Sequence, residues 1–356
     1  MSVIVKGGGG KSSGLYVWKK YEVIPCLSFL GNEDFTLKTN NTSKNWDGTL
    51  EYSTDTTTWN TWDGTEISSA GSKLYLRGTG NTKITGDSYN YRFVFTGTDA
   101  LKIVCEGNIE NLLDYKTVSA GGHPTMTGYC YTSMFNGCTS LTTAPALPAT
   151  TLAGGCYMGM FSDCASLTTA PALPATTLAD NCYNGMFYGC TSLTTAPALP
   201  ATTLAGGCYI GMFQGCTSLT TIPSLPATTL AEDCYFDMFR GCTSLTTAPA
   251  LPATTLAMGC YSYMFGDCAS LTTAPALPAT TLADNCYNGM FFNCASIKLS
   301  TTQTGEYQTA YRIPKSGTGA TAIDALIDMF ANTGGTFTGT PNINTTYYLS
   351  TSNTVV

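Results

Sequence analysis

The sequence predicts a mixed α and β fold: an N-terminal β-sandwich-like domain, then a solenoid of seven 26-residue repeats, then a degenerate C-terminal capping repeat. Three observations predict it. A phrase opening at Cys156-Tyr157 passes through Met160-Phe161, Cys164, Ser166-Leu167 and Pro171-Ala172-Leu173-Pro174 to Ala179, and it recurs with its first cysteine at 130, 156, 182, 208, 234, 260 and 286. A fixed period in the range of roughly 20–50 residues marks stacked units, because one unit cannot bury its apolar face alone. Ahead of the array, short alternating runs separated by turn residues read as strands. Only 11% of residues are charged, against roughly 25% in an ordinary soluble domain. Thr, Ser, Asn and Gly supply the polarity instead.

Residues 1–24 read as a flexible Gly-rich leader, with Gly7 to Gly10 at its centre, followed by an attachment strand through Leu15-Tyr16-Val17-Trp18 and Tyr21-Glu22-Val23-Ile24. No apolar stretch with a cleavage site follows Met1, so a secretion signal is expected to be absent. Residues 25–118 form the β-sandwich-like domain, carried by Phe35-Thr36-Leu37-Lys38-Thr39, Leu50-Glu51-Tyr52-Ser53, Leu74-Tyr75-Leu76-Arg77 and Tyr91-Arg92-Phe93-Val94-Phe95. Trp46, Trp59 and Trp62 fit either ligand stacking or ordinary core and cross-strand pairs. From Asn108 to Tyr115, the spacing of Ile109, Leu112 and Leu113 predicts a short helix placed to cover the open end of the array.

The solenoid is assigned to 119–299 and the cap to 300–356. Ser296-Ile297-Lys298-Leu299 departs from the repeated Ser-Leu-Thr-Thr. A helical stripe at Ile323, Leu326, Ile327 and Phe330 follows, Met329-Phe330 repeats the Met-Phe pair, and Tyr347-Tyr348-Leu349 makes a strand-like tail.

Within one repeat, Cys156, Tyr157, Met160, Phe161 and Cys164 sit at i, i+1, i+4, i+5 and i+8, which is one face of a short helix. With Leu167 they are the expected structural core. The segment Leu167 to Leu173 is extended and interrupted by Pro171 and Pro174, which cannot donate to a ladder. Short parallel strands on one face and short helices on the other are therefore expected, in a rod of about 34 Å at roughly 4.8 Å per turn.

The phrase resembles the bacterial BspA-like leucine-rich repeats. Its carriers are Met160-Phe161, Cys164 and Ser166-Leu167, and in the next copy Met186-Phe187-Tyr188-Gly189-Cys190-Thr191-Ser192-Leu193. The unit is longer than the usual one and carries a Pro-Ala-Leu-Pro insert. Val17-Trp18-Lys19-Lys20-Tyr21 also looks like the opening of structural tail proteins from phages and prophages of gut bacteria. The repeat resemblance implies a surface, adhesion or host-contact role.

Chemistry is sought first among the sixteen cysteines. Fourteen form two columns, and the two in one repeat lie eight residues apart, about 12 Å along a helix and too far for a disulfide. Buried free thiols acting as small apolar fillers are the favoured reading. Disulfides down a column, a Cys26–Cys105 pair and a zinc site are the alternatives. His123 has no recognisable catalytic neighbour in sequence, and Gly7 to Gly10 with Lys11-Ser12 is no phosphate loop. No catalytic, cofactor-binding or metal residue is assigned, and the chain is read as non-enzymatic.

The pairs preceding each cysteine and each methionine vary between copies: Gly154-Gly155, Met158-Gly159 and Ser162-Asp163 become Glu232-Asp233, Phe236-Asp237 and Arg240-Gly241. On a helix they face solvent. Drift on an exposed face explains them, or a tuned contact surface does, with Tyr188, Ile210, Gln214, Phe236, Arg240, Tyr263 and Phe292 as anchors.

The expected function is a phage or prophage tail-associated structural and receptor-binding protein in a virion or extracellular particle. The alternative is an adhesin on the bacterial cell surface. A carbohydrate-binding module or a glycan-active enzyme ranks below both. Expected partners are a host cell-surface protein or glycan on the repeats and virion or tail proteins at the N-terminus, with a homo-oligomer left open. The net charge of −7 argues against nucleic acid, and no apolar run reaches the roughly 20 residues of a membrane span.

Overall fold

The computed structural model describes residues 25–41, 44–86, 91–314, 316–317 and 322–356. The leader and attachment strand expected over 1–24, and the side chain of Ile323 in the closing stripe, lie outside the described residues. Across the described residues the chain is built mostly of strands and turns, with little helix.

The N-terminal part contains β1 (Leu27–Gly31), β2 (Thr36–Thr39), β3 (Thr49–Ser53), β4 (Asn60–Trp62), β5 (Ile67–Ser68), β6 (Lys73–Thr79), β7 (Phe93–Thr96) and β8 (Ile103–Glu106). Next come α1 (Asn111–Ser119) and β9 (Leu141–Thr143). One sheet runs β4-β3-β6-β1-β8-β9 and a second runs β5-β2-β7. Rings from the two sheets meet: Phe29 of β1 lies 6.4 Å from Phe93 and 5.2 Å from Phe95, both of β7. Trp46 stacks on Trp62 at 5.5 Å, and both are buried. Trp59 packs under the Arg77 guanidinium. Two of the three tryptophans are therefore core.

The helix expected from Asn108 runs instead from Asn111 to Ser119, and it is broken at Asp114 (φ −154°, ψ 97°). Asp114 accepts from the Lys116 and Thr117 N–H groups, so it caps the second piece in the extended conformation an N-cap adopts. Ile109, just before α1, donates to Ala146 O at 3.1 Å, and β8 pairs in parallel with β9 of the first repeat. The N-terminal part thus feeds hydrogen bonds directly into the array.

The repeat itself departs from expectation. The face from Cys156 to Cys164 is not a helix but a ladder of overlapping β-turns. Every second N–H closes a local turn: Cys156 to Ala153 O, Met158 to Gly155 O, Met160 to Tyr157 O, Ser162 to Gly159 O and Cys164 to Phe161 O, at 3.1–3.3 Å. The intervening N–H groups reach the next copy: Gly155 to Asp180 O, Tyr157 to Cys182 O, Gly159 to Asn184 O, Phe161 to Met186 O and Asp163 to Tyr188 O, at 2.6–3.0 Å. All ten donors are satisfied, half of them between copies.

The cause is a positive φ at every fourth residue: Gly155 (60°), Gly159 (59°) and Asp163 (58°). A turn whose third residue is left-handed favours Gly, Asn or Asp there. The second member of each variable pair is therefore constrained rather than free.

The constraint extends between copies. In the first left-handed column the residues are Tyr129, Gly155, Asn181, Gly207, Asp233, Gly259 and Asn285, so a side chain alternates with glycine. A Cβ on Gly155 would stand 2.5 Å from Tyr129 Cδ1, and one on Gly207 would stand 2.6 Å from Asn181 Oδ1. Each left-handed side chain leans over the next copy, and glycine leaves room for it.

The strands expected on the opposite face are reduced over much of the array to isolated parallel bridges, such as Thr143 with Thr169 and Thr195 with Thr221. The prolines remove the donors that would extend them. Between the two faces, Cys156, Tyr157, Met160, Phe161, Cys164 and Leu167 and their equivalents are buried. Successive tyrosines stack at 5.6–5.9 Å with near-parallel rings. The phenylalanines do the same at 5.5–5.9 Å.

At the far end lie β10 (Thr273–Ala274), β11 (Thr281–Leu282), β12 (Lys298–Ser300), β13 (Tyr307–Arg312), β14 (Ser316–Gly317), α2 (Ala322–Leu326), β15 (Gly334–Gly335), β16 (Thr346–Ser350) and β17 (Thr354–Val355). The last copy finds its acceptors in this segment: Tyr287 donates to Ala325 O, and Phe291 donates to Met329 O, both at 2.9 Å. Phe330 stacks on Phe291 at 5.5 Å and continues the ring column. Only the first part of the expected closing stripe is helical, since α2 ends at Leu326. The strand-like tail is β16, paired with β13 and β12.

Candidate contact face on the turn ladder

Because Met160 and Phe161 point inward, the pairs beside them form a ledge along the array. Its two flanking columns pass through Met158, Asn184, Ile210 and Phe236, and through Ser162, Tyr188, Gln214, Arg240 and Phe292. Of the seven anchors expected from sequence, Tyr188 is exposed, at 43%. Ile210, Gln214, Phe236, Arg240, Tyr263 and Phe292 are half-buried. They fall into two groups.

Tyr188, Ile210 and Gln214 converge on one shallow trough of about 190 Å³, with Ser133, Asn136, Met158 and Asn184 around it and Gly159, Gly185 and Gly211 along it. The glycines are the left-handed positions of three consecutive copies. At Gly185 an added Cβ would meet only Tyr188 Cβ, at 4.0 Å. Here turn geometry and a ledge free of side chains coincide. Sequence reading missed Ser133, Asn136 and Asn184; the signal was their place in the same two pairs of neighbouring copies.

The second group is bonded within itself. Arg240 Nε donates to Asp267 Oδ2 at 2.9 Å, Nη1 donates to Asp237 Oδ1 at 3.4 Å, and the guanidinium lies 5.0 Å from the Tyr263 ring centroid. Tyr263 meets Phe292 edge-on at 5.9 Å. Asn293 Nδ2 donates to Asp267 Oδ1 at 2.7 Å, and Asn332 Nδ2 donates to Asn293 Oδ1 at 2.9 Å. Burial pushes the Asp267 carboxyl up, but the hydrogen bonds from Asn293 and Arg240 outweigh it and hold the group below its ordinary value. Burial wins at Asp237, whose carboxyl is raised despite Arg240. Phe236 is on the same ledge.

The cysteines are all free thiols. In the second column each thiol donates to the phenylalanine carbonyl one layer back: Cys164 Sγ to Phe135 O at 3.0 Å, Cys190 Sγ to Phe161 O at 3.1 Å, and likewise on to Cys294 and Phe265 O at 2.9 Å. A small side chain that fills space and still donates suits this place. Burial raises these groups; Cys138, Cys216 and Cys268 are pushed up to about 12. Among the described residues no cluster of His, Cys, Asp and Glu is arranged to hold a metal ion.

His123 acquires a partner that the sequence did not show. Its Nδ1 lies 2.8 Å from Glu110 Oε2, a carboxylate buried at the start of α1, beside a cavity of about 420 Å³. The lining of that cavity holds no serine or cysteine. The pair ties the loop ahead of the array to the N-terminal part. A larger cavity of about 490 Å³ lies where that part meets the first copy, and its cations are already engaged: Arg92 with Asn136 and Lys102 with Ser166. Among the described residues no helix is long and apolar enough to cross a membrane.

No protein-family model and no curated protein matches the chain. Among solved structures, the chain is similar to a leucine-rich repeat protein from Bacteroides ovatus, at 20% identity and a TM-score of 0.23, over 54% of this chain and 59% of that one. The chain therefore spans less than two thirds of that protein's length. The periodic Cys, Tyr and Phe columns fit a leucine-rich-repeat-like array.

Proposed function

We propose that the protein is a non-enzymatic recognition protein of a phage-tail or similar particle, which contacts a host cell surface through the ledge of its turn ladder. The observation that carries the reading is the gathering of exposed Tyr188 with half-buried Ile210 and Gln214 on one trough, set on the two variable columns that flank a uniform core. The finer description belongs to the same reading: seven BspA-like repeats between a β-sandwich and a cap, with residues 1–24 for attachment. The free, buried thiols support folding in a reducing compartment before release, because cysteines crossing an oxidising one are exposed to disulfide formation. An adhesin exported through the periplasm lacks that advantage.

Attachment of the labelled full chain to candidate bacterial cells tests the reading. Tyr188→Ala combined with Gln214→Ala is expected to reduce attachment, while Thr202→Ala on the opposite, uniform face leaves it unchanged. Equal attachment by all three proteins would remove the ledge from the function.

A further inference from the structure

We infer that the trough at Tyr188 is a binding site for an uncharged sugar ring, an inference that rests on the recognition reading above and names its ligand class. Its lining contains no charged side chain, so it offers nothing to an anionic or cationic group that must leave water. What it offers is the combination a pyranose demands. Tyr188 supplies an exposed aromatic plane for the apolar C–H face of the ring. Gln214 supplies a side-chain amide, which donates and accepts at once, as sugar hydroxyls do. Asn136 and Asn184 add one end each, since Asn136 Oδ1 already accepts from Arg92 and Asn184 Nδ2 already donates to Asn181.

A second observation is independent of that ring. Ser133 is only 2% exposed as a residue, and its side chain borders the trough. Its Oγ lies 3.3 Å from where a Cβ on Gly159 would stand, so it faces the trough. A hydroxyl there can donate to a sugar hydroxyl and accept from one. Ser133 also holds a positive φ of 54°, uncommon for serine. At about 190 Å³ the space lies below the roughly 300–1,000 Å³ of sites for drug-sized ligands, and it suits one ring of a longer glycan.

Saturation-transfer NMR on the full chain, with glucose, galactose, mannose and N-acetylglucosamine and their short oligomers, tests the inference; sialic and glucuronic acids serve as charged controls. At least one neutral sugar is expected to bind, and Tyr188→Ala is expected to weaken it about tenfold, or about 1.4 kcal/mol. Gly185→Asn keeps a residue that tolerates left-handed backbone but fills the ledge, so it is expected to weaken binding as much while leaving unfolding nearly unchanged. Binding by the acidic sugars alone overturns the inference, as does neutral-sugar binding untouched by both variants. If no sugar binds while the chain still attaches to cells through Tyr188, the glycan assignment fails and the recognition reading stands. If attachment fails as well, both fail.

Discussion

The ring of Tyr263 lies against Gly289, its counterpart one copy further along, and both residues hold a positive φ, at 50° and 57°. A Cβ on Gly289 would stand 2.6 Å from the Tyr263 Cδ1 and Cζ atoms. A bulky left-handed residue persists only where its surroundings fix it. Here the Arg240 guanidinium, the Phe292 edge and the glycine below do so.

Gly289→Ala is therefore expected to cost about 2 kcal/mol or more, combining left-handed strain with overpacking against the ring. Gly185→Ala meets open space and is expected to cost only the strain, about 1 kcal/mol. Placing Gly289→Ala in a Tyr263→Asn background should recover the overpacking part. Urea unfolding of the single and double variants measures the coupling, and strict additivity would disprove the contact.

The same relationship shows what the sequence disclosed. The period, the inward columns and the closing Met329-Phe330 were legible because spacing alone defines them. The helix was misread because its cardinal spacing is ambiguous. Residues at i, i+4 and i+8 share one face of a helix, and they also share one face of a turn ladder whose unit is four residues. What separated the two was the glycine, asparagine or aspartate recurring at 155, 159 and 163 and their equivalents, residues that favour turns over helix interiors. The contact face was legible only in part. Tyr188 could be named from variation, but the engagement of Arg240 by Asp267 requires two copies in register, and Ser133 lies in the least regular copy.

Thiol accessibility gives a second expectation. Titration with a chromogenic disulfide should detect all sixteen thiols in denaturant. In the native state it should detect at most Cys26, which is half-buried and whose thiol burial pushes up to about 11. A denatured count of two or fewer would contradict the free-thiol columns.

Those thiols also set an alkaline limit. Cys138, Cys182, Cys216, Cys234, Cys268 and Cys286 are pushed by burial from 9.0 to about 12. A raised folded value means their stabilising effect is complete below about 9 and declines as pH rises toward 12, because the unfolded chain ionises first. Each contributes a slope of about 1.4 kcal/mol per pH unit, so these six alone give about 8. A cooperative loss of structure just above pH 9, coincident with thiolate absorbance, is expected in reducing buffer. Thiolate forming well before the loss of structure would show the columns to be open to water.

Asp267 and Asp237 flank one arginine and should respond to acid in opposite senses. Asp267 is held below its ordinary 3.8 because the bonds from Asn293 and Arg240 outweigh its burial. Its contribution is therefore present above about pH 4 and fades as pH falls through the lowered value. Both Asp267 and Arg240 are about one-third exposed, which limits that contribution to about 0.5–1 kcal/mol after solvent screening. Asp237 is raised by burial against the pull of Arg240, so its charge is a net cost at neutral pH and its protonated form is favoured in acid. Asn keeps the left-handed backbone available at both positions. Asp267→Asn is then expected to destabilise at pH 7 and to match the parent at the acid end. Asp237→Asn is expected to stabilise at pH 7 and to lose that advantage in acid. Denaturant midpoints at pH 7 and pH 3 decide it, and a shift of the same sign in both variants would mean that Arg240 does not discriminate between its two carboxylates.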